Sequence, residues 1–252
     1  SKLSTTQVLN MRTDQIAAIE SADIRSLTID QLNVLSTEQV QALQSSQLTA
    51  LSNRQINAWG VDQFVALTTD QIQAFSSGQF PAFSTTQLAS ISSDQLQAIE
   101  TQDFAMLQGS QIASLQEANI ALLTTSQIVG MRQSQFSSLT LQQGAALTDT
   151  QVAVIETTDI QGLSASQFSM LGTTQFQALG TAQTAALTAN QVAGLSAEHI
   201  GVMSSEQLRS LTLSNITALR ASQMGSFSDT LFGALRTEQL AALNPTAIGA
   251  LN

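Results

Sequence analysis

The chain has 252 residues, and its 8 Lys and Arg against 18 Asp and Glu give a formal net charge of −10. Only 10% of the residues are charged while 43% are hydrophobic, which is the opposite of an acidic disordered tail. Eight scattered cations do not supply the clustered positive charge of a nucleic-acid binder, and no apolar run reaches the roughly 18 residues of a membrane span. Because there is no cysteine, disulfides and thiolate metal sites are excluded.

An eight-residue repeat begins at Ser4 and keeps one register to the end of the chain. Every eighth residue from Gln7 is Gln in 23 of 31 octads, and the next residue is apolar in 29 of them. A further column, from Leu3 to Leu251, holds 32 large apolar residues. The Gln column is replaced at Asp23, Asp103, Asn119, Asp159, His199, Asn215, Leu231 and Ala247. The sequence therefore predicts a single tandem array over residues 1–252.

The octad 68–75 represents the pattern, with Thr68 at position 1, Gln71 at position 4, Ile72 at position 5 and Phe75 at position 8. Ser or Thr followed three residues later by Gln is the capping box that opens a helix. Leu67, just before the cap, and Ile72 are spaced to form a hydrophobic staple. Each octad is therefore predicted to form one short capped helix that ends where the next cap begins.

Several octads depart from this pattern. Arg12, Glu20, Gln44 and Glu100 stand at position 1 with Ser or Thr one residue later, so we expect the cap to slide by one residue there. Pro81 falls where a helical N–H is already bonded, which predicts a distorted octad. A β-solenoid is the alternative fold, but Ala, Gln and Leu favour helix over strand.

Helices of about seven residues are unstable alone, so the apolar positions must be buried by neighbouring octads, as in other repeat proteins. Position 7 holds a small residue in most octads, which allows helix backbones to approach closely. We therefore predict an all-α solenoid, or superhelix, of about 31 short capped helices. The pattern leaves the number of octads per coil open.

Few residues offer chemistry. His199, the only histidine, stands in the Gln column without catalytic or metal-binding partners, so we interpret it as a substitute for the capping Gln. Trp59 lies in the large apolar column and is expected in the core. Three octads replace both cap and Gln with acids, and these carboxylates are weak candidates for Ca²⁺ ligands, although a short acid in the first turn also compensates for a poor cap. The pairs are Glu20 and Asp23, Glu100 and Asp103, and Glu156 and Asp159. No cofactor motif is present.

The segment Leu67–Ser76, LTTDQIQAFS, and its relatives along the chain resemble the tandem TTxQIxAL octapeptide tracts of very large secreted or surface-exposed bacterial proteins. Those proteins are often labelled as adhesin-, hemolysin- or heme-utilisation-like, labels that usually come from other domains. The resemblance covers essentially the whole chain and implies an extracellular, multi-repeat structural stalk.

These observations predict a non-enzymatic structural spacer of a secreted or cell-surface bacterial protein, with neighbouring domains of a larger chain as its partners. The alternatives are an adhesive module that binds through positions 3 and 6 of the octad, and a self-stacking fibre subunit. Because the pattern runs from Leu3 to Leu251 without polar terminal repeats, we expect either an excerpt of a longer array or head-to-tail association.

Overall fold

The computed structural model describes residues 3–249, so Leu251, the last member of the large apolar column, lies outside the described residues. Over that range the chain forms 29 α-helices and two 3₁₀ helices, one for each octad, and no strand. The prediction of an all-α fold built from about 31 short helices is confirmed, and the β-solenoid alternative is wrong.

The chain divides into two compact units, and the first, Ser1–Leu123, is an all-α solenoid. Its α-helices have four to six residues and are joined by short extended corners. They are α1 (Thr5–Leu9), α2 (Thr13–Ala17), α3 (Ser21–Ser26), α4 (Ile29–Asn33), α5 (Thr37–Gln41), α6 (Ser45–Ala50), α7 (Asn53–Asn57), α8 (Val61–Val65), α9 (Thr69–Ala74), the 3₁₀ helix η1 (Phe80–Ala82), α10 (Thr85–Ala89), α11 (Ser93–Ala98), α12 (Thr101–Phe104), α13 (Gly109–Ser114) and α14 (Glu117–Ala121).

The second unit, Thr124–Asn252, is built in the same way. Its elements are α15 (Thr125–Gly130), α16 (Gln133–Ser138), α17 (Leu141–Ala146), α18 (Asp149–Val154), the 3₁₀ helix η2 (Ile160–Gly162), α19 (Ala165–Met170), α20 (Thr173–Gln177), α21 (Thr181–Ala186), α22 (Ala189–Gly194), α23 (Ala197–Gly201), α24 (Ser205–Ser210), α25 (Leu213–Thr217), α26 (Ala221–Met224), α27 (Asp229–Ala234), α28 (Thr237–Ala242) and α29 (Pro245–Ile248).

Two consecutive extended residues make the corner between helices: position 8 of one octad and position 1 of the next. In α9 the cap Thr68 has φ −75° and ψ 164°, and Phe75, which ends the helix, has φ −68° and ψ 140°. The backbone N–H of Phe75 still donates to the carbonyl of Ile72 before the chain turns. Because no described residue has a positive φ, these corners need no glycine in the left-handed conformation.

Proline distorts its octad as the sequence predicts. Pro81 lies inside η1, a 3₁₀ helix in place of the α-helix seen in most octads, because proline has no N–H for the helical hydrogen bond. The second 3₁₀ helix, Ile160–Gly162, contains no proline and is not anticipated by the sequence.

The predicted sliding of the cap is wrong. Arg12, Glu20, Gln44 and Glu100 are themselves the N-cap residues of α2, α3, α6 and α12, although none forms a side-chain cap hydrogen bond. The register is kept because a shift by one residue would rotate the buried apolar positions out of the core.

Within each unit, helices pack on helices three octads away. In the first unit α1 packs on α4, α2 on α5 and α3 on α6; in the second unit α22 packs on α25 and α24 on α27. One coil of the solenoid therefore contains three octads of eight residues, or 24 residues. This answers the question that the sequence leaves open.

The two apolar columns form the core. The apolar position-5 side chains from Val8 to Met224 are at most 1% exposed, and most of the position-8 column is buried as well. Leu3 in the position-8 column and Phe232, Leu240 and Ile248 in the position-5 column are exceptions to the predicted burial, because their side chains are 39–44% exposed. Trp59 is in the core as expected, but its indole nitrogen is buried without a hydrogen-bond partner.

Small residues at position 7 permit close contact between coils. A Cβ atom on Gly162 would lie 2.3 Å from the backbone oxygen of Gln133, and one on Gly194 would lie 2.9 Å from the Cβ of Ala165. Both partners belong to the preceding coil, so at these places the backbones approach too closely for a larger side chain.

Candidate functional site: the glutamine column

The column of buried glutamines is the most regular polar feature of the molecule, and Gln71 shows its local role. The backbone N–H of Gln71 donates to the Thr68 hydroxyl at 3.2 Å, and the Thr68 N–H donates to Gln71 Oε1 at 3.0 Å. Leu67, Ile72 and Phe75, the other residues of the predicted motif, are buried around this capping box. The arrangement satisfies two backbone N–H groups that every helix start leaves free.

The amide nitrogen of the same side chain bonds to another coil. Gln71 Nε2 donates to the carbonyl oxygens of Val40 at 2.8 Å, Gln41 at 3.2 Å and Leu43 at 2.9 Å. These carbonyls belong to the end of α5 and the corner after it, where helix carbonyls lack their usual donor four residues later, although the Leu43 N–H also donates to the Val40 carbonyl at 3.1 Å. One glutamine therefore joins the start of its own helix to the end of a helix in the preceding coil.

This contact recurs in both units, with donation to carbonyl oxygens 28, 30 or 31 residues earlier in the chain. We call the set the glutamine ladder. Its members include Gln31, Gln39, Gln47, Gln55, Gln63, Gln71, Gln79, Gln87, Gln95 and Gln111 in the first unit, and Gln167, Gln175, Gln183, Gln191, Gln207, Gln223 and Gln239 in the second.

The ladder explains why the column contains Gln and no Glu. A capping box accepts either residue, because both supply an oxygen to the cap N–H. Only an amide also carries donors for the carbonyls of the preceding coil, since an ionised carboxylate can only accept. This donor role is not predicted above, although 23 Gln and no Glu in one column is a signal for it.

Asparagine reproduces part of the ladder. Asn215 accepts from the Thr212 N–H at 3.1 Å and donates to the Leu187 carbonyl at 2.9 Å, which lies 28 residues earlier. Asn119 likewise donates to the Ile91 carbonyl, also 28 residues earlier, at 3.0 Å. The shorter side chain thus contacts the nearer of the two main carbonyls that a glutamine usually bonds.

His199 occupies the glutamine position with equivalent contacts. Its Nδ1 accepts from the Ser196 backbone N–H at 3.1 Å, so Nε2 carries the proton of the neutral ring and donates to the Leu171 carbonyl at 2.8 Å. Imidazole thus supplies one acceptor and one donor on opposite edges, as the amide does. The side chain is buried and packs against Phe176, with 5.3 Å between ring centroids.

The acidic replacements interrupt the ladder, because a carboxylate offers no donor. Asp103 is buried and accepts a hydrogen bond from the Ser77 hydroxyl. Asp159 is half-buried and Asp23 is exposed. The remaining calcium candidates, Glu20, Glu100 and Glu156, lie on the surface three residues before those acids. In the part of the chain that the structure describes, no group of three or more His, Cys, Asp or Glu residues is arranged to hold a metal ion, and the calcium hypothesis stays a prediction.

A second set of hydrogen bonds runs in the opposite direction along each solenoid. Polar residues at position 6 donate to the position-7 carbonyl 25 residues later, in the following coil. Examples are Asn57 to Ala82 at 3.0 Å and Gln97 to Leu122 at 2.8 Å. In such coils the position-7 carbonyl accepts a side-chain hydrogen bond from the coil before, and the carbonyls at positions 5 and 8 accept one from a glutamine of the coil after.

Two exposed carboxyl groups at position 3 have lowered pKa values. The hydrogen bond from the Arg12 guanidinium lowers the pKa of Asp14, and a salt bridge of 2.9 Å joins the two side chains. Hydrogen bonds from its own backbone N–H and from the Ser36 and Thr37 hydroxyls lower the pKa of Glu38. Both acids lie in the first turn of a helix, where negative charge is favoured.

An array of helical octads joined by one repeated side-chain contact defines a tandem-repeat protein. Consistent with this, three stretches of the chain match the family model of the ALTTAQ repeat, at residues 16–53, 40–77 and 152–189. No curated protein matches the chain. Among residues 3–249, no helix combines the length and the apolar character needed to cross a membrane.

Proposed function

We propose that this chain is a non-enzymatic structural spacer within a secreted or cell-surface bacterial protein. The observation that carries the proposal is the glutamine ladder. Its buried amides bond the end of one helix to the start of another at regular intervals, and therefore serve coil-to-coil cohesion. A spacer needs such uniform contacts along its length, and it needs no specialised site.

The position-6 hydrogen bonds support a spacer over an adhesive module. Asn57 and Gln97 lie on the exposed surface that an adhesive would use, yet their amide groups donate to the next coil. The extracellular location rests on the resemblance of Leu67–Ser76 to octapeptide tracts of secreted bacterial proteins. An antibody raised against the chain should label intact cells of the source organism; labelling only after permeabilisation would contradict this location.

Removing one whole coil tests the spacer role. Deletion of residues 60–83 joins Trp59 to Ser84 and keeps the octad phase, so the chain should fold with unchanged helicity per residue. Because the protein has no cysteine, dyes can be attached at Thr5→Cys and Glu117→Cys, two exposed positions in the first unit. Energy transfer between them should increase, because one coil has been removed.

A matched control deletes residues 60–71, which breaks the octad phase. This variant should lose helicity and cooperative unfolding. Unchanged energy transfer after the 60–83 deletion, or equal loss of structure in both deletions, would reject the spacer proposal.

A further inference from the structure

One side of the second unit is built from four stacked helices whose residue at position 2 is apolar. α17 packs on α19, α19 on α22 and α22 on α25, so these helices lie above one another in successive coils. Position 2 is Ser or Thr in 16 of the 31 octads of the chain, and Ala, Val, Leu or Ile in only eight. Four of those eight fall in this stack, at intervals of 24 residues: Leu141, Ala165, Ala189 and Leu213.

The same side of the unit carries no ionisable residue. Although the chain has a formal net charge of −10, no Asp, Glu, Lys, Arg or His occurs in the octads 140–147, 164–171, 188–195 and 212–219. Octads on the other sides of the unit carry acids, such as Asp149, Glu156 and Glu198. We call the outer surface of α17, α19, α22 and α25 the neutral face.

The largest side chains of the neutral face are exposed. Leu141, Met170 and Leu213 are 40%, 48% and 45% exposed, and the alanines between the two leucines, Ala165 and Ala189, are half-buried. The face therefore has one leucine near each end and a low, alanine-lined middle. Octads added at either end of the chain would stack on its terminal coils and would leave this side uncovered.

The hydroxyl groups that start these helices already have partners within the chain. Each accepts from a backbone N–H of its own helix at 3.1 to 3.2 Å, as seen at Thr140, Ser164, Thr188 and Thr212. At position 6, the Ser169 and Thr217 hydroxyls donate to backbone carbonyls of their own helices at 2.8 and 2.9 Å. Because these groups are satisfied internally, an apolar partner can cover them at low cost.

We propose that the neutral face binds the neutral face of a second copy of this chain, with the two second units antiparallel. A two-fold axis between α19 and α22 places Leu141 of each copy opposite Leu213 of the other, and Ala165 opposite Ala189, because these positions are spaced evenly about that axis. Leucine pairs then close both ends of the contact, and the alanines let the helices approach in the middle. This inference goes beyond the spacer role, which one chain can perform alone.

Charge selects a second copy as the partner. Acidic chains repel one another, and the neutral face is a side on which two copies can meet without bringing carboxylates together. A lipid surface is a poorer partner, because the neutral face has no Lys or Arg for anionic headgroups and its one aromatic residue, Phe168, is buried.

Sedimentation equilibrium of the whole chain over a range of concentrations tests the proposal and should show monomers in equilibrium with dimers. Leu213→Glu places a carboxylate in both symmetric contacts and should weaken the dimer by about tenfold or more. Val129→Glu is the matched control and should leave the dimer unchanged, because Val129 is 42% exposed but lies on α15, outside the stack. A wild-type chain that stays monomeric, or equal weakening by the two substitutions, overturns the proposal.

Disulfide formation tests the antiparallel register, because the chain has no cysteine of its own. Leu141→Cys and Leu213→Cys chains, mixed in a glutathione buffer, should form mixed disulfide dimers. Either variant alone should form no more disulfide dimer than Val129→Cys, and circular dichroism should show unchanged helicity in each. Mixed dimers no more abundant than those of Val129→Cys, or equal cross-linking of Leu141→Cys with itself, would refute this pairing, whatever the outcome of the coil deletions that test the spacer role.

Discussion

The amide nitrogen of Gln71 lies 2.8 Å from the carbonyl oxygen of Val40, a residue 31 positions earlier in the chain. Because Gln71 also forms the capping box of its own helix, one side chain contributes both to helix initiation and to the stacking of coils. The hydrogen bond also explains why the residue is buried, since a polar side chain is buried at low cost only when its donors and acceptors are satisfied.

Gln71→Glu should destabilise the protein by about 2–4 kcal/mol at neutral pH, because it leaves buried carbonyls without a donor and places a carboxylate beside them. Burial near carbonyl oxygens raises the pKa of the new carboxyl group in the folded state. Part of the lost stability should therefore return as the pH falls through that pKa, since the protonated acid can donate. Urea unfolding at neutral and acidic pH measures both effects.

The control for this substitution is Gln73→Glu, two residues later on the same helix and exposed. It should change the free energy of unfolding by less than about 0.5 kcal/mol. Similar losses in the two variants would show that added negative charge, rather than the missing donor, causes the effect.

Asp103→Asn should stabilise the protein by about 1 kcal/mol. The two side chains have the same shape, and the new amide can donate to the Phe75 carbonyl 28 residues earlier, as Asn119 does to Ile91. Asp94→Asn, at an exposed first-turn position, measures the loss of favourable helix-dipole charge alone. Equal decreases in the thermal unfolding midpoints of Asp103→Asn and Asp94→Asn would contradict the predicted gain of a hydrogen bond at position 103.

His199→Gln should leave the free energy of unfolding within about 0.5 kcal/mol of wild type, because the amide restores the usual ladder contacts. His199→Leu fills the site with an apolar side chain but leaves the Ser196 N–H and the Leu171 carbonyl without their partners. That variant should lose about 2–3 kcal/mol in denaturant unfolding. A leucine variant as stable as the glutamine variant would show that His199 contributes only packing.

Gly162→Ala and Gly233→Ala should have opposite effects. The added Cβ at Gly162 meets the backbone oxygen of Gln133 at 2.3 Å, which should cost about 1–3 kcal/mol through forced backbone movement. No atom lies within 4 Å of a Cβ at Gly233, which is in α27, so alanine there should gain about 0.5–1 kcal/mol through helix propensity. Calorimetric melting temperatures distinguish the two; a rise for both would refute close backbone approach at position 7.

The sequence by itself determined the eight-residue period, the helical state of each octad and the two buried columns. The helical state depends on contacts within one octad, such as the capping box of Thr68 and Gln71, which spacings of three to five residues encode. The two columns are recognisable because every octad repeats the same apolar positions, although other octads bury them. The predicted slide of the cap at Arg12 failed because burial of the apolar positions, rather than the hydroxyl, keeps the register.

Only the tertiary structure decided that three octads make one coil, that the glutamine amides donate across coils, and that Asn57 and Gln97 bond to the following coil. These contacts join residues 25 to 31 positions apart. The sequence of an octad does not indicate which other octad it will contact, because nearly identical octads all have the same apolar face and the same amide. The number of octads per coil is set instead by the angle of each extended corner, together with the packing of small position-7 residues against the coil before.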